Sequence, residues 1–327
     1  MNENEGRNKK GSIEDNINKI DGDYIKKHQC NDMGNRIRKW FKSIENDYDK
    51  GVYLLLMEQF RYYSRENIIE ALRKVHKEVT DFDKNIDYTI FFPMFSYNGN
   101  TNHSFEIQNM YRDANKLSKY CFPTNINLAI EKLPMNDISN IIFIDDMIGT
   151  GETIKKSIRE IHKKYKSLFN KNIYILVLEV PENIMNIEED INEELDINIK
   201  IIYLNKHKKA FDSGYIFDEK NKVRAKEVIK KYDTQLTKNA NEILGYGNSE
   251  FLLGFYYDTP NNTIISLWRQ NEDLSWNPPF YRSTKISHRP KWLKSSKQYG
   301  GARQLKYEKE QRKNMNYRKR LKENNKK

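Results

Sequence analysis

Cysteine and long apolar runs are both scarce in this sequence. Its two cysteines, Cys30 and Cys121, lie far apart and outside any CxxC pair, which excludes a cysteine-rich zinc site and a disulfide framework. The six histidines show no HExxH or other paired spacing. No apolar run approaches the roughly 18 residues that span a bilayer, and no apolar stretch follows the charged N-terminus as in a secretory signal. We therefore expect a cytoplasmic protein with no membrane segment.

Positive charge is concentrated at one end of the chain. The whole sequence carries a net charge of +11, but residues 285–327 hold sixteen Lys and Arg against three Glu, which is +13, so the remaining residues sum to −2. The body of the protein is thus nearly neutral. This asymmetry indicates a nearly neutral globular part followed by a basic tail.

Short apolar segments alternate with helical patterns in the middle of the chain. The segments 88–95 (YTIFFPMF), 140–144 (NIIFI), 172–180 (NIYILVLEV) and 197–204 (INIKIIYL) lack in–out alternation, which is typical of strands covered on both faces of a parallel sheet. Helical spacing, as in Ile154, Ile158 and Ile161, separates them. The sequence predicts an α/β fold in which helices flank a parallel sheet.

The rest of the chain is arranged around this core. Its start is rich in Asn, Lys and Glu and is expected to be flexible, and a helical layer with apolar residues at helical spacing follows. The expected divisions are a flexible N-terminus over 1–34, a main domain over 35–285 made of a helical layer (35–80), an α/β core (81–210) and a C-terminal elaboration (211–285), and a basic tail over 286–327.

The C-terminal elaboration combines turn signals with many aromatic residues. Residues 250–257 and 263–268 predict two strands joined by the turn DTPNN. Its aromatic side chains are candidates for stacking on a base, although apolar surroundings favour a core role. These residues are Phe211, Tyr215, Trp268, Trp276 and Phe280. Arg282 has two open interpretations, a phosphate contact or an ion pair with a carboxylate.

The segment Ile141–Ile154 (IIFIDDMIGTGETI) carries the clearest chemical signal. An apolar strand leads into Asp145 and Asp146, and a glycine-containing loop then opens a helix. Glycine lets backbone N–H groups approach phosphate oxygens, and the helix N-terminus favours an anion. Two adjacent carboxylates suit a vicinal diol such as the ribose hydroxyls. The pattern favours a site for a phosphorylated ribose over a strand-to-helix turn whose acids only cap the helix.

Two other phosphate motifs are excluded in this segment. A Walker A loop needs a lysine after the second glycine, and the residue after Gly151 is Glu152. A dinucleotide fingerprint places its glycines before the acid, whereas here the acids come first. The order of acids, glycine loop and helix is therefore the informative feature.

This segment resembles the phosphoribosyl pyrophosphate (PRPP) motif of type I phosphoribosyltransferases (PRTases). The resemblance implies that Asp145 and Asp146 are the catalytic pair that holds the ribose hydroxyls. It also implies that the loop binds the 5′-phosphate through Gly149, Thr150, Gly151, Glu152 and Thr153. Many family members carry another residue in place of Gly149. The family's chemistry displaces pyrophosphate at ribose C1, with Mg²⁺ bridging substrate oxygens.

Type I PRTases hold pyrophosphate on a loop after the first core strand. The corresponding place here is Ser96–Ser104, where Ser96, Gly99 and Ser104 could supply anion-binding groups. This assignment follows from position alone, and an ordinary surface loop explains the same residues equally well.

The distal part of the chain carries a second resemblance. The succession of LGYG (244–247), a strand, TPNNT (259–263), a further strand and WNPPFYR (276–282) is similar to the PRTase-like proteins of bacterial conflict and antiviral systems, the PRTase-CE type, which includes retron-associated members. This resemblance implies an effector in antiphage defence.

The basic tail and the acid pair leave three classes of function open. Residues 285–327 interleave Lys and Arg with aromatics, which suits RNA or single-stranded DNA, although a solvated end explains them as well. The protein is then a Mg²⁺-dependent PRPP transferase, a PRPP- or nucleotide-binding regulator without turnover, or a nucleic-acid-binding subunit that acts with partner proteins of a defence complex.

Overall fold

Helices and strands alternate through most of the computed structural model, which describes residues 12–28, 30–82, 86–96 and 102–282. None of the helices in these ranges is both long and apolar enough to cross a membrane. In chain order the elements are α1 (Ile13–His28), α2 (Met33–Phe41), α3 (Asp47–Glu58), β1 (Arg61–Tyr63), α4 (Arg65–Phe82), β2 (Thr89–Pro93), α5 (Ser104–Ala114), α6 (Ile126–Lys132), β3 (Asn140–Ile144), α7 (Glu152–Lys164), β4 (Asn172–Pro181), α8 (Ile184–Leu195), β5 (Ile199–His207), α9 (Glu219–Leu236) and β6 (Leu253–Phe255).

A parallel sheet in the order β2-β3-β4-β5 forms the main core. Every residue of β2 and β3 is buried, as expected for strands covered on both faces. Along β3, Ile141 and Phe143 join the core on one face while Ile142 and Ile144 join the other, because successive side chains of a strand point to opposite faces. Pro93 is tolerated because it ends the edge strand β2. The α/β prediction is confirmed.

Helices cover both faces of this sheet. Ala129 of α6, Ile158 of α7 and Ile187 of α8 pack on one face, and Leu72 of α4 and Tyr111 of α5 pack on the other. Because all four strands are parallel, their carboxyl ends meet at one edge, where open α/β sheets bind ligands. The chain that precedes α5 and the chain that precedes α7 both leave the sheet at this edge.

The helical layer and the C-terminal elaboration share a second core. The indole of Trp276 lies 5.7 Å from the ring of Trp40 in α2, 6.3 Å from Tyr53 in α3 and 5.2 Å from Tyr232 in α9, measured between ring centroids. Aromatic rings at these separations attract one another beyond the gain from burying their area. Segments from opposite ends of the described chain are therefore held together by one aromatic cluster.

The N-terminal part of the described chain is more ordered than expected. Ile17, Ile20 and Tyr24 of α1 recur at helical spacing and are buried in the second core. The prediction of a flexible N-terminus over 1–34 is wrong for α1 and for the start of α2. A polar composition concealed a narrow apolar stripe, which is enough to attach a helix to a core.

The two predicted C-terminal strands differ from the observed structure. Of residues 250–257 only β6 is a strand, and it pairs in parallel with β1 of the helical layer. The prediction of a strand over 263–268 is wrong, because Ile265–Leu267 form a turn of 3₁₀ helix. The Ser266 N–H, inside this turn, donates to the buried Asp233 carboxylate at 3.0 Å. That contact favours a turn over an extended conformation at this point.

Most of the candidate stacking aromatics belong to the interior. Phe211, Trp268, Trp276 and Phe280 are buried in the second core, and only Tyr215 is substantially exposed. The core interpretation of the four buried rings is confirmed. None of them is available to stack on a bound base.

A buried carboxylate joins the two cores. Glu179 of β4 is fully buried and accepts hydrogen bonds from Arg61 Nη1 at 2.7 Å and from the Tyr63 hydroxyl at 2.6 Å, both on β1. His207 Nε2 accepts from the Leu252 N–H at 2.9 Å, so its Nδ1 carries the proton and faces Glu179 at 3.5 Å. Burial raises the pKa of Glu179, but the close approach of His207 and the charge of Arg61 outweigh it, and the pKa is lowered overall.

Removing Arg61 should therefore destabilise the fold strongly. We expect Arg61→Ala to lower the free energy of unfolding by about 3 kcal/mol, because it leaves a buried carboxylate without its cation. Arg159→Ala is the matched control, since Arg159 pairs with Glu194 at the surface and should cost less than about 1 kcal/mol. Urea denaturation measures both values, and equal losses would contradict the role assigned to Glu179.

Candidate functional site

The acid pair continues the strand β3 at the carboxyl edge of the sheet. The Asp145 N–H donates to the Leu176 carbonyl at 2.9 Å, and the Leu178 N–H donates to the Asp146 carbonyl at 3.0 Å. Both bonds extend the ladder between β3 and β4 beyond the last residue of β3. The backbone of the acids is thus fixed by the sheet, and their side chains extend from a rigid support.

The carboxylate of Asp145 is oriented by the start of α5. Its Oδ1 accepts from the Ser104 hydroxyl at 2.6 Å and from the Asp146 N–H at 3.0 Å. Ser104 is the first residue of α5, so the carboxylate also lies at the positive end of a helix dipole. Two donors on one oxygen leave Oδ2 as the acceptor for a ligand.

Asp146 is oriented by the C-terminal elaboration. Its Oδ2 accepts from the Tyr257 hydroxyl at 2.9 Å. The Tyr257 ring is stacked on His103, with centroids 4.4 Å apart and planes at 24°, and also on Phe255, with centroids 5.4 Å apart and planes at 3°. A side chain from a distant part of the sequence therefore completes the acid pair.

The site disfavours ionisation of both acids. Burial raises the pKa of Asp145, and the adjacent charge of Asp146 raises it further. Burial also raises the pKa of Asp146, although the Tyr257 hydroxyl and the charge of His103 oppose the shift. Carboxyl groups with shifted pKa values that line a cavity are typical of functional sites.

The glycine loop joins the acids to the N-terminus of α7. The Ile148 N–H donates to the Glu179 carbonyl at 2.9 Å, which holds the loop against β4. Gly151 has φ +84°, a conformation that strains other residues, and it precedes α7 without a side-chain cap. The amides of the first turn of α7 are therefore available to an anion.

A segment of the C-terminal elaboration lies directly on this loop. A Cβ atom at Gly149 would collide with the side chain of Asn262, which is itself held by a hydrogen bond to Ser249 Oγ at 2.8 Å. Likewise, a Cβ at Gly247 would come within 2.9 Å of Thr150. At Gly149, Asn262 occupies the space that a larger side chain would need.

These parts enclose a cavity of about 470 Å³. The segment 145–154 forms its floor, and Asn102 and His103 border it beside α5. Tyr257, Asp258 and Arg282 border it from the elaboration. This volume lies in the range of small-ligand sites.

The predicted phosphate residues all line this cavity. Gly149, Thr150, Gly151, Glu152 and Thr153 border it together with both acids. The predicted pyrophosphate residues do not stay together: Ser104 binds Asp145, Ser96 borders a different cavity, and Gly99 lies outside the described residues. Segment 96–104 as a pyrophosphate loop stays a prediction.

Sequence reasoning missed the side chains that approach from outside the motif. These side chains, His103, Tyr257, Asp258 and Asn262, follow no recognisable spacing, although His103 lies in the candidate loop 96–104 and the other three lie in or beside the predicted turn DTPNN. Arg282 pairs with Asp258 at 3.5 Å and borders the cavity, so the ion pair is observed and the phosphate contact stays a prediction. Among the described residues, no cluster of three or more His, Cys, Asp or Glu side chains is arranged to hold a metal ion.

A model of the PRTase-CE family matches residues 37–282. The chain belongs to the PRTase-CE family. The match covers the helical layer, the α/β core and the C-terminal elaboration, and it ends at Arg282, where the compact unit also ends. No curated protein and no solved structure matches the chain significantly. In this PRTase-CE protein the elaboration is thus part of the family domain and of the cavity wall.

Removing the acid charges should stabilise the protein at neutral pH. The folded-state pKa of each acid is raised, so the stability that the wild type has below about pH 4 is lost as the pH rises through these pKa values. We expect Asp145→Asn/Asp146→Asn to raise Tm by about 3 °C near neutral pH, as roughly 1 kcal/mol does in domains of this size class.

The pH dependence of that gain is its check. Scanning calorimetry should show the gain disappear as the pH falls towards about 4, and the exposed Asp137→Asn control should change Tm at neither pH. A double variant that is less stable than the wild type near neutral pH would contradict the assigned burial of charge.

The contact between Gly149 and Asn262 predicts a coupled pair of substitutions. We expect Gly149→Ala to destabilise the wild type by about 2 kcal/mol, the typical cost of overpacking. In the Asn262→Ala background the same change should cost far less, with a coupling energy of about 1 kcal/mol or more in a double-mutant cycle. Urea denaturation of the four proteins measures this coupling, and strictly additive losses would refute the contact.

Proposed function

We propose that the cavity of this PRTase-CE protein binds a ribose 5-phosphate group and that the protein acts at ribose C1. The observation that carries the proposal is the arrangement of two oriented carboxylates directly before a glycine loop and an uncapped helix N-terminus. A vicinal diol needs adjacent acceptors, and a phosphate needs converging amides. The segment 145–153 supplies both groups: two carboxylates for the ribose hydroxyls and, directly after them, backbone amides for the 5′-phosphate.

Each residue has a defined part in this proposal. Asp145 and Asp146 accept hydrogen bonds from the ribose hydroxyls, and the amides of 149–153 hold the 5′-phosphate. Positive charge develops on the ribose ring as the bond at C1 breaks, and the nearby carboxylates stabilise it. Tyr257 and Ser104 hold the carboxylates in place, so little reorganisation is needed during the reaction.

The donor atoms of the site fit Mg²⁺. The acid pair offers carboxylate oxygens, which Mg²⁺ prefers, and Mg²⁺ usually takes few ligands from the protein and the rest from substrate phosphates and water. Asp145 and Asp146 would hold the ion together with the ligand. Bound there, it would neutralise phosphate charge.

A defence role extends the proposal beyond the cavity. The resemblance to conflict-system proteins supports an antiphage effector that acts on nucleotides. Association with a retron is one setting in which such an effector would act. The basic segment 285–327 lies outside the described residues, and its composition supports binding of RNA or single-stranded DNA, or of partner proteins in a defence complex. A regulator that binds without turnover would use the same cavity.

Calorimetric titration of the full chain tests the ligand. Ribose 5-phosphate, AMP and PRPP with Mg²⁺ are titrated into the wild type, Asp145→Asn/Asp146→Asn and the Asp137→Asn control. We expect binding to the wild type and the control and a loss of about 100-fold in the double variant, because two charge-assisted hydrogen bonds are weakened. Equal affinity in all three proteins, or no binding to any of them, would contradict the proposal.

A further inference from the structure

The contacts around the cavity divide it into two ends. The glycine loop is contacted by Asn262 at Gly149 and by Gly247 at Thr150. The acid pair is contacted by Ser104 and Tyr257 instead. If the loop takes the 5′-phosphate, as proposed above, the end near the acids and Tyr257 is left for the group at ribose C1.

Charges in the cavity disfavour a second phosphate group at that end. Among the described residues, the cavity is bordered by four carboxylates, by the imidazole of His103 and by two permanent cations, Lys156 and Arg282. Lys156 pairs with Glu152 at 3.8 Å and Arg282 pairs with Asp258 at 3.5 Å, so the positive charges are already balanced. The acid pair then leaves the cavity negative when no metal ion is bound, and an added pyrophosphate would meet like charge at short range unless Mg²⁺ screens it.

The sequence of the predicted pyrophosphate loop does not supply the missing cations. Residues 96–104 (SYNGNTNHS) contain no lysine or arginine. The hydroxyl of Ser104, the first residue of α5, already donates to the Asp145 carboxylate, so this helix end already holds an anion.

Aromatic surface is present at the same end. Phe255, Tyr257 and His103 form a stack of three rings beside Asp146. The His103 side chain is 46% exposed, so part of its imidazole remains accessible at the end of the stack. A planar heterocycle would gain binding affinity by stacking there, and this gain does not depend on which hydrogen-bonding groups the heterocycle carries.

We propose that the ligand of this site is a preformed nucleoside 5′-monophosphate, whose base continues the Phe255–Tyr257–His103 stack, rather than PRPP. This inference rests on the proposed function, because the ribose and the 5′-phosphate occupy the acid pair and the glycine loop. The base replaces pyrophosphate as the group at C1. A nucleotide also brings only one phosphate, which the loop amides accommodate without any metal ion.

Calorimetric titration of the full chain distinguishes the two ligand classes. AMP, GMP, CMP, UMP, ribose 5-phosphate and PRPP are each titrated with Mg²⁺ and again with EDTA. We expect at least one nucleotide to bind about tenfold more tightly than ribose 5-phosphate, because stacking one base contributes about that much affinity. The same difference should be measured in EDTA. PRPP should bind more weakly than this nucleotide and only with Mg²⁺.

Variants of His103 locate the base. His103→Ala should abolish the tenfold preference for the nucleotide over ribose 5-phosphate, compared as the ratio of the two affinities within the same variant, whereas His103→Phe should retain that preference because it keeps a flat ring. Tight binding of PRPP with Mg²⁺ and no gain from any base would overturn the inference while leaving the ribose 5-phosphate site intact. A base gain that survives His103→Ala would overturn the stacking assignment, and failure of ribose 5-phosphate itself to bind would overturn the proposed function instead.

Discussion

The buried carboxylate of Glu179 is the constraint on which the rest of the structure depends. Its side chain binds Arg61 and Tyr63 of β1, and its backbone carbonyl accepts from the Ile148 N–H of the glycine loop. A single residue of β4 therefore connects the helical layer, the main sheet and the candidate phosphate site. Because an unpaired buried charge is costly, the two cores are held in one arrangement relative to the loop.

The acid pair shows the opposite energetic pattern. Glu179 has a lowered pKa because its partners favour the ionised form. The pKa of Asp146 is raised by burial, and that of Asp145 is raised by burial and by the charge of Asp146, even though Tyr257 and Ser104 oppose these shifts. The protein retains this unfavourable charge in a cavity rather than in its core. A ligand that donates hydrogen bonds to the free carboxylate oxygens would relieve it, which explains why the two acids suit binding better than stability.

The sequence was sufficient for the parts of the fold that follow local rules. Continuous apolar strands such as 140–144 predicted the parallel sheet, and the order of acids, glycines and helix predicted the floor of the cavity. Asp145, Asp146 and the five loop residues lie together because they are neighbours in the chain. These features depend on spacing alone, so they needed no knowledge of distant contacts.

The remaining features depend on contacts between distant segments. Tyr257 contacts Asp146, and Asn262 contacts Gly149, although more than 100 residues separate the partners in sequence and no sequence periodicity predicts the contacts. The 3₁₀ turn near Ser266 follows from a buried Asp233 on α9, and the order of α1 follows from three apolar residues within a polar sequence. In each case the tertiary partner, and not local propensity, decides the conformation.

A crystal structure of the protein grown with ribose 5-phosphate would test the central claim most directly. The account predicts phosphate density at the N-terminus of α7, within hydrogen-bond distance of the amides of 150–153, and the ribose hydroxyls on Asp145 and Asp146. Density for the phosphate elsewhere on the protein, with the acid pair free of ligand, would contradict it.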